Sequence, residues 1–338
     1  MKVLLTGSQG YLGTVMAPVL ARAGHEVTGL DIGWFAPNVL GPEPSDPPTV
    51  TKDIRDVTVA DLEGFDAVIH LAALSNDPLG FLAPEITYDI NHQASTRLAT
   101  LAKQAGVGRF LYSSTCSVYG AAGSGLVAED AELAPVTPYA ISKVRVEADL
   151  DRLADDTFTT LSLRNSTAFG YSPRLRADIV LNNLVGHALL SGEVLVLSDG
   201  TPWRPLVHAA DIAEVFAAAL VAPAERVNRA KLNVGSEANN VTVAEIAEAV
   251  AAETGATVRI TGEAGNDPRS YRVDFSRLRE TLPQVSVSRS ITDGAKELVS
   301  AYREYQMTKE AFEQRFVRLA RIKQLQEAGR LDATLHTI

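Results

Sequence analysis

Residues 2–13 read Lys2-Val3-Leu4-Leu5-Thr6-Gly7-Ser8-Gln9-Gly10-Tyr11-Leu12-Gly13. The apolar run after Lys2 reads as a first strand over 2–6 and is too short for the apolar stretch of a secretion signal. Beyond it, three glycines at G-x-x-G-x-x-G spacing open a helical pattern of Leu12, Val15, Met16, Val19 and Leu20, with Gly24 as its stop. Pro18 falls inside that pattern and predicts a bend. A strand, a glycine turn and a helix in this order can hold a pyrophosphate. Gly7 permits the tight turn, Gly10 lets the backbone approach the ligand, and Gly13 lets the helix pack closely. The helix N-terminus supplies free amides and positive dipole. A second strand over 26–31 ends at Asp31. An acid there accepts hydrogen bonds from a ribose 2′-hydroxyl and repels a 2′-phosphate, which favours NAD over NADP.

Outward from this unit, short apolar runs at 2–6, 26–31, 67–71, 109–113, 159–164 and 232–234 alternate with helical patterns. That alternation predicts an α/β fold, a Rossmann-type doubly wound parallel sheet with helices on both faces. Residues 33–50 are rich in Pro and Gly and read as a loop. From about Tyr171 the alternation weakens. The expected division is a nucleotide-binding domain over 1–170 and 204–235, and a smaller, discontinuous lobe over 171–203 and 236–338 with a C-terminal helical tail. The helix near 211–220 and the strand at Leu232 return to the main sheet in this reading. Phe312, Phe316, Leu319, Ile322 and Leu325 recur at helical spacing and predict a helix packed on the lobe or on a partner subunit.

The 338-residue chain is 46% apolar, enough for a sizeable core, and carries a net charge of −10, which argues against nucleic acid or anionic membrane as partners. No stretch is long and apolar enough to span a bilayer. The single cysteine, Cys116, allows no internal disulfide and suits a reducing, cytoplasmic location. No His, Cys or acidic cluster has metal-ligand spacing, so no metal is expected.

Two further stretches carry chemistry. Tyr139-Ala140-Ile141-Ser142-Lys143 places a phenol and an ammonium at i and i+4, one above the other on a helix. The ammonium favours phenolate and lowers the tyrosine pKa from its usual value of about 10, giving a base able to work near neutrality. Upstream lies Ser113-Ser114-Thr115-Cys116-Ser117-Val118-Tyr119-Gly120. Leu71, Ala72 and Ala73 follow His70 at a strand end, and their small side chains let the backbone lie against a dinucleotide. His70 itself reads as a satisfied strand-end histidine, and Cys116 as a nucleophile is disfavoured.

The glycine turn, the Ser/Thr strand end and the Tyr/Lys pair, in that order, resemble the extended short-chain dehydrogenase/reductase family, specifically its nucleotide-sugar epimerases and dehydratases. The resemblance covers roughly residues 1–275 and is strongest up to Lys143. It implies Tyr139 as acid/base, Lys143 as the residue that holds the ribose and tunes Tyr139, and Thr115 as a hydrogen-bond donor to the reacting sugar oxygen. It implies NAD contacts from Gly7, Gln9, Gly10, Tyr11, Leu12, Gly13, Asp31, Leu71, Ala72, Ala73, Asn91, Ser113, Tyr139 and Lys143, with Asp53 and Ile54 at the adenine. On the substrate side it implies Arg204, in Thr201-Pro202-Trp203-Arg204-Pro205-Leu206-Val207-His208, and Arg269 as contacts to a diphosphate, and Asn183 as a substrate-binding asparagine. Ser75, Asn76 and Asp77 are expected to face the sugar. Where relatives read L-R-x-x-N, this chain has Leu163-Arg164-Asn165-Ser166-Thr167, so Thr167 takes the asparagine's place.

The family's 4,6-dehydratases carry an Asp-Glu pair just after the threonine. Cys116-Ser117 stands there in this chain and speaks against that reaction. The resemblance thus implies an NAD-dependent, homodimeric epimerase of a nucleotide-diphosphate sugar, acting at C4 through a transient keto-sugar. A ketoreductase or decarboxylase of the same family stays open as an alternative. From a different class, so does a non-catalytic NAD-binding sensor or scaffold.

Overall fold

The computed structural model describes residues 1–75, 80, 83–120, 125–263 and 269–338. Seven strands form one sheet in the spatial order Ala230–Val234, Thr159–Asn165, Arg109–Thr115, Ala67–His70, Lys2–Thr6, Glu26–Asp31 and Thr49–Thr51. Every neighbouring pair runs parallel. Ala67–His70 and Thr159–Asn165 are buried along their whole length, as a parallel sheet covered on both faces requires. Six of these strands sit where the apolar runs place them. The seventh, Thr49–Thr51, closes the segment read as a loop. It is short, lies at the sheet edge, and is docked partly by Gly29 N donating to Pro48 O at 2.7 Å.

The helix Tyr11–Arg22 buries Met16, Val19 and Leu20 and packs on the helix Ala209–Val221. Pro18 sits on its exposed face and does not end it. Strand Lys2–Thr6 is flanked by Glu26–Asp31 on one side and Ala67–His70 on the other, so the winding reverses there. A crevice opens at such a reversal, beyond the carboxyl ends of the strands.

A second core is built by the helices Val180–Ser191, Val243–Thr254 and Ile291–Glu304, which enclose Leu181, Val185, Ile246, Val250 and Leu298. The strand Trp203–His208 pairs with Thr167–Phe169 and Asn240–Thr242. The chain then returns to the main sheet through Ala209–Val221 and Ala230–Val234.

The stretch 236–338 does not stay together as one lobe. Leu278 and Leu282 pack into the main-sheet core. The tail divides at Phe316: Phe312 and Phe316 lie in the lobe core, whereas Ile322, Leu325, Leu331 and Leu335 pack with Trp34, Ile54, Leu62 and Val68 on the nucleotide half. The helical spacing of 312–325 is interrupted there, and Arg318–Glu327 forms a separate helix. Periodicity marks which face is buried but carries no information on what buries it.

Candidate active site

A cleft of about 1200 Å³ opens at the crevice. The glycine turn forms its floor. Gly7 has φ +72°, and a Cβ there would lie 2.8 Å from Ala72 N. A Cβ at Gly13 would lie 2.2 Å from Gly7 O, so turn and helix approach as closely as glycine allows. Tyr11 Oη donates to Gly170 O at 2.8 Å, tying the start of the helix to the lobe.

At the end of strand Glu26–Asp31, Asp31 accepts from the amides of Gln9 (2.9 Å) and Gly33 (2.8 Å). Burial raises its pKa, against the pull of those amides and of Arg174 and Arg318. Gln9 turns its side chain to Asp46, at 3.0 Å, and is not part of the cleft wall. Asp53 and Ile54 line the cleft, and Asp53 pairs with Arg55 at 2.6 Å. Asn91 lies in a π-helical turn, Asp89–Ala94, and grips the Leu74 backbone from both sides, accepting at 2.7 Å and donating at 2.9 Å. It is absent from the cleft wall and acts on it through Leu74. His70 is buried between Thr6 Oγ1 (2.6 Å) and Ser95 Oγ (2.8 Å), and burial holds its pKa down at about 3, so it is a neutral structural group.

Thr115, Tyr139 and Lys143 line the same cleft. Thr115 ends strand Arg109–Thr115, and its Oγ1 accepts from Ser117 N at 3.1 Å, which leaves its proton available. The helix Pro138–Leu153 starts on a Thr137 cap with Pro138 in its first turn, so Tyr139 opens the helix and Lys143 follows one turn later. Lys143 Nζ donates to Ser113 O at 2.7 Å and lies 5.5 Å from the Tyr139 ring centre. Burial pushes its pKa down to about 7, opposed by Glu147. An ammonium in this place stabilises a phenolate on Tyr139 and can carry further donors toward a ribose.

Behind this group lies a buried polar frame. Arg164 pairs with Glu147 at 2.7 Å, Glu147 accepts from Ser114 Oγ at 2.5 Å, and Arg164 donates to Tyr119 Oη at 2.9 Å. Removing one partner would strand a buried charge, so the frame fixes the strand end. Cys116 belongs to it. Its thiol donates to Arg164 O at 3.0 Å, faces away from the cleft, and is raised by burial to about 12. Among the described residues, the acids of the cleft wall are Asp31, Asp53 and Asp178, and Cys116 and Ser117 follow Thr115 in the chain.

On the lobe side, Arg204, Arg269, Asn183, Thr167 and Ser75 line the same cleft. Arg204 Nη1 donates to Trp203 O at 3.0 Å and also to Arg269 O. Asn183 Nδ2 donates to Ala177 O at 3.0 Å, and Ser75 Oγ accepts from Arg176 at 3.2 Å. Asn76 and Asp77 lie outside the described residues. The cleft wall also holds Asn165, Arg176, Asp178, Tyr271 and Arg318, none of which the sequence reading singled out as a ligand. Arg176 pairs with Asp178 at 2.9 Å. Two arginines in Arg174-Leu175-Arg176 of an acidic chain were the available signal.

The donor set suits a dinucleotide. The glycine floor admits backbone contact, Asp31 lines the cleft beside it, and two buried polar atoms in the wall, Asn165 Oδ1 and Arg318 Nη1, have no hydrogen-bond partner among the described residues. Among the described residues no group of three or more His, Cys, Asp or Glu side chains could hold a metal ion. Among them too, no helix is long and apolar enough to cross a membrane.

Known proteins resemble this chain in sequence and in fold. The chain is 29% identical to a UDP-glucose 4-epimerase of Mycolicibacterium smegmatis, over 86% of this chain and 96% of that one. It is 30% identical to a dTDP-glucose 4,6-dehydratase of an Actinoplanes species, over 90% and 98%. The UDP-glucose-4-epimerase of Stenotrophomonas maltophila, solved with NAD and formylated UDP-arabinopyranose, superposes with a TM-score of 0.77 at 27% identity, covering 90% of this chain and 99% of that one. Residues 3–235 match the model of one family across the glycine turn, the Thr115 strand end and the Tyr139/Lys143 helix, and the chain belongs to that family, the NAD dependent epimerase/dehydratase family.

Proposed function

We propose that the protein is an NAD-dependent epimerase of a nucleotide-diphosphate sugar, inverting C4 through a keto-sugar. The observation that carries this reading is the set of groups gathered in one cleft. The glycine floor, Asp31, Thr115, Tyr139, Lys143, Arg204 and Arg269 all line it together. NAD, when bound, accepts a hydride from the sugar carbon and gives it back.

The protein's own groups handle the proton and the orientation. Tyr139, as phenolate, takes the proton of the C4 hydroxyl as that oxygen becomes a carbonyl, and returns it when the hydroxyl re-forms. Thr115 donates a hydrogen bond to the same oxygen. Lys143 holds the phenolate and a cofactor ribose. Arg204 and Arg269 hold the diphosphate through charge-assisted bonds, which lets the sugar turn over while its anchor stays fixed. Asn183, Thr167 and Ser75 border the sugar. Cys116 and Ser117 supply no carboxyl beside Thr115, which weighs against elimination of water. The buried single cysteine suits a reducing compartment, so we place the enzyme in the cytoplasm, as a homodimer.

The test is to incubate the enzyme with UDP- and dTDP-hexoses, with and without NADH, and follow product stereochemistry by NMR together with the absorbance of reduced nicotinamide. An epimer with no net change in NADH is expected. Stoichiometric loss of NADH on a keto-sugar, with no epimer from any hydroxy sugar, would make it a ketoreductase. Arg204→Ala should raise KM for the sugar about 10–100-fold, the loss of a charge-assisted bond, while NAD affinity holds.

A further inference from the structure

The helix Arg318–Glu327 begins in the wall of the cleft: Val317, Arg318 and Leu319 line it, as the glycine turn does. Arg318 is 6% exposed. Its guanidinium stacks on Phe35 at 4.1 Å, and Nη2 donates to Arg174 O at 3.3 Å. Among the described residues the buried Nη1 has no hydrogen-bond partner, and no carboxylate forms a salt bridge with the guanidinium. The nearest charges it feels are Arg176, Asp178 and Asp31, and burial together with Arg176 lowers its pKa to about 9.

A buried, always-paired residue type left with a free donor is costly unless an anion completes it. Two further features point the same way. The helices Tyr11–Arg22 and Arg318–Glu327 both begin at this cleft, without a side-chain cap or an acidic residue in the first turn. Their dipoles and free amides add positive potential to that of Arg318 and Arg176.

We infer that Arg318 is a phosphate-binding residue of the cofactor site, reaching the dinucleotide pyrophosphate. The inference rests on the reading of this cleft as the NAD site. Arg318 stacks on Phe35 and feels the charge of Asp31 as well as those of Arg176 and Asp178, which puts it near the residue expected at the adenosine ribose, so we assign it the cofactor's phosphates and not the substrate's. The tail is anchored for this task. Arg321 Nε donates to Trp34 O at 3.1 Å, and Arg55 donates to Thr334 O and Leu335 O at 2.9 Å each.

The test measures binding to the full-length protein, freed of nucleotide, for NAD, ADP-ribose, adenosine and UDP. Wild type, Arg318→Met and Arg318→Lys are compared, with thermal midpoints recorded. Arg318→Met is expected to weaken NAD and ADP-ribose about 10–100-fold, the loss of a charge-assisted bond, and to leave adenosine and UDP unchanged. Arg318→Lys should recover part of that loss. Equal weakening of adenosine and ADP-ribose would reduce Arg318 to a packing residue, and weakening of UDP would move it to the substrate's phosphates. Either result overturns the inference, as does unchanged ADP-ribose binding. Should Arg318→Met lose its fold, Arg318→Lys decides by the same contrast between ADP-ribose and adenosine. A wild-type protein that binds no NAD at all would instead sink the cofactor-site reading itself.

Discussion

Around Tyr139 in the cleft, the groups that matter are held by near neighbours in sequence. Lys143 bonds Ser113 O across 30 residues and Ser114 bonds Glu147 across 33. Around Asp31 the wall is assembled from opposite ends of the chain: Arg321 meets Trp34 across 287 residues, and Arg55 meets Leu335 across 280. The first part is a rigid strand and helix over a buried ion-pair frame, suited to placing a proton within tenths of an ångström. The second is a loop, a tail helix and an arginine with a free donor, suited to holding a ligand. Under the proposed function, the difference teaches that proton handling and adenosine-side retention rest on separately built parts of the chain. Variants of the first part should change turnover, and variants of the second should change cofactor affinity.

Tyr139→Phe should have the largest effect. It keeps the ring and removes the transferable proton, so turnover should fall by about two to four orders of magnitude while NAD affinity stays at the wild-type value. If turnover survives, or if NAD binding falls with it, the separation fails.

For the second part, wild type should prefer NAD over NADP, and Asp31→Asn should cut that preference about 10-fold or more by removing the charge that faces a 2′-phosphate. Turnover at saturating NAD should hold. Comparing both dissociation constants with kcat checks this. Equal wild-type affinities would remove Asp31 from the ribose.

Lys143 sharpens the comparison because its environment opposes its stability. Folded, it releases its proton near pH 7; unfolded, near the usual lysine value of 10.5. Between those values the unfolded state binds more protons, so the wild-type fold gains stability as pH rises from about 7 to about 10.5. Lys143→Met has no such cost. It should be more stable than wild type by about 1–2 kcal/mol at neutral pH, net of the lost bond to Ser113, and almost inactive. That advantage should be flat below pH 7 and shrink toward pH 10.5. Urea titrations across that range measure it, and an advantage that grows with pH would contradict the burial argument.

The smallest effect belongs to Cys116. Its thiol is 1% exposed and held protonated, so alkylating reagents should leave it unmodified in the native protein, and Cys116→Ala should retain wild-type kcat. Rapid modification with loss of activity would place the thiol in the cleft.

The same contrast explains what could be read from the sequence. The glycine turn, Asp31, Thr115 and the Tyr139/Lys143 pair are local patterns, each set by a strand end or one helix turn, and all of them reach the cleft. The six apolar runs became strands because each carries apolar side chains that the sheet buries, down to Leu232 and Val234 in the shortest. Thr49–Thr51 was missed because three half-exposed residues after Pro47-Pro48 have no pattern to read. The tail was missed for another reason. Ile322 and Leu325 declare a buried face, but nothing local says that Trp34 and Ile54 cover it. Arg318 likewise looks like any helix-surface arginine until the fold buries it. Asn91 was legible as a position near the cleft, while its two bonds to the Leu74 backbone come from a fold contact that no local pattern announces.

The central claim is that the sugar carbon gives up and regains the same hydride while Tyr139 handles only an oxygen-bound proton. Running the reaction to equilibrium in deuterated water, and examining the epimerised sugar by NMR and mass spectrometry, tests it most directly. The account predicts inversion with no deuterium at the inverted carbon or any other ring carbon. Deuterium at that carbon, or a deuterated keto-deoxysugar as product, would show that a carbon-bound proton is exchanged with solvent and would contradict it.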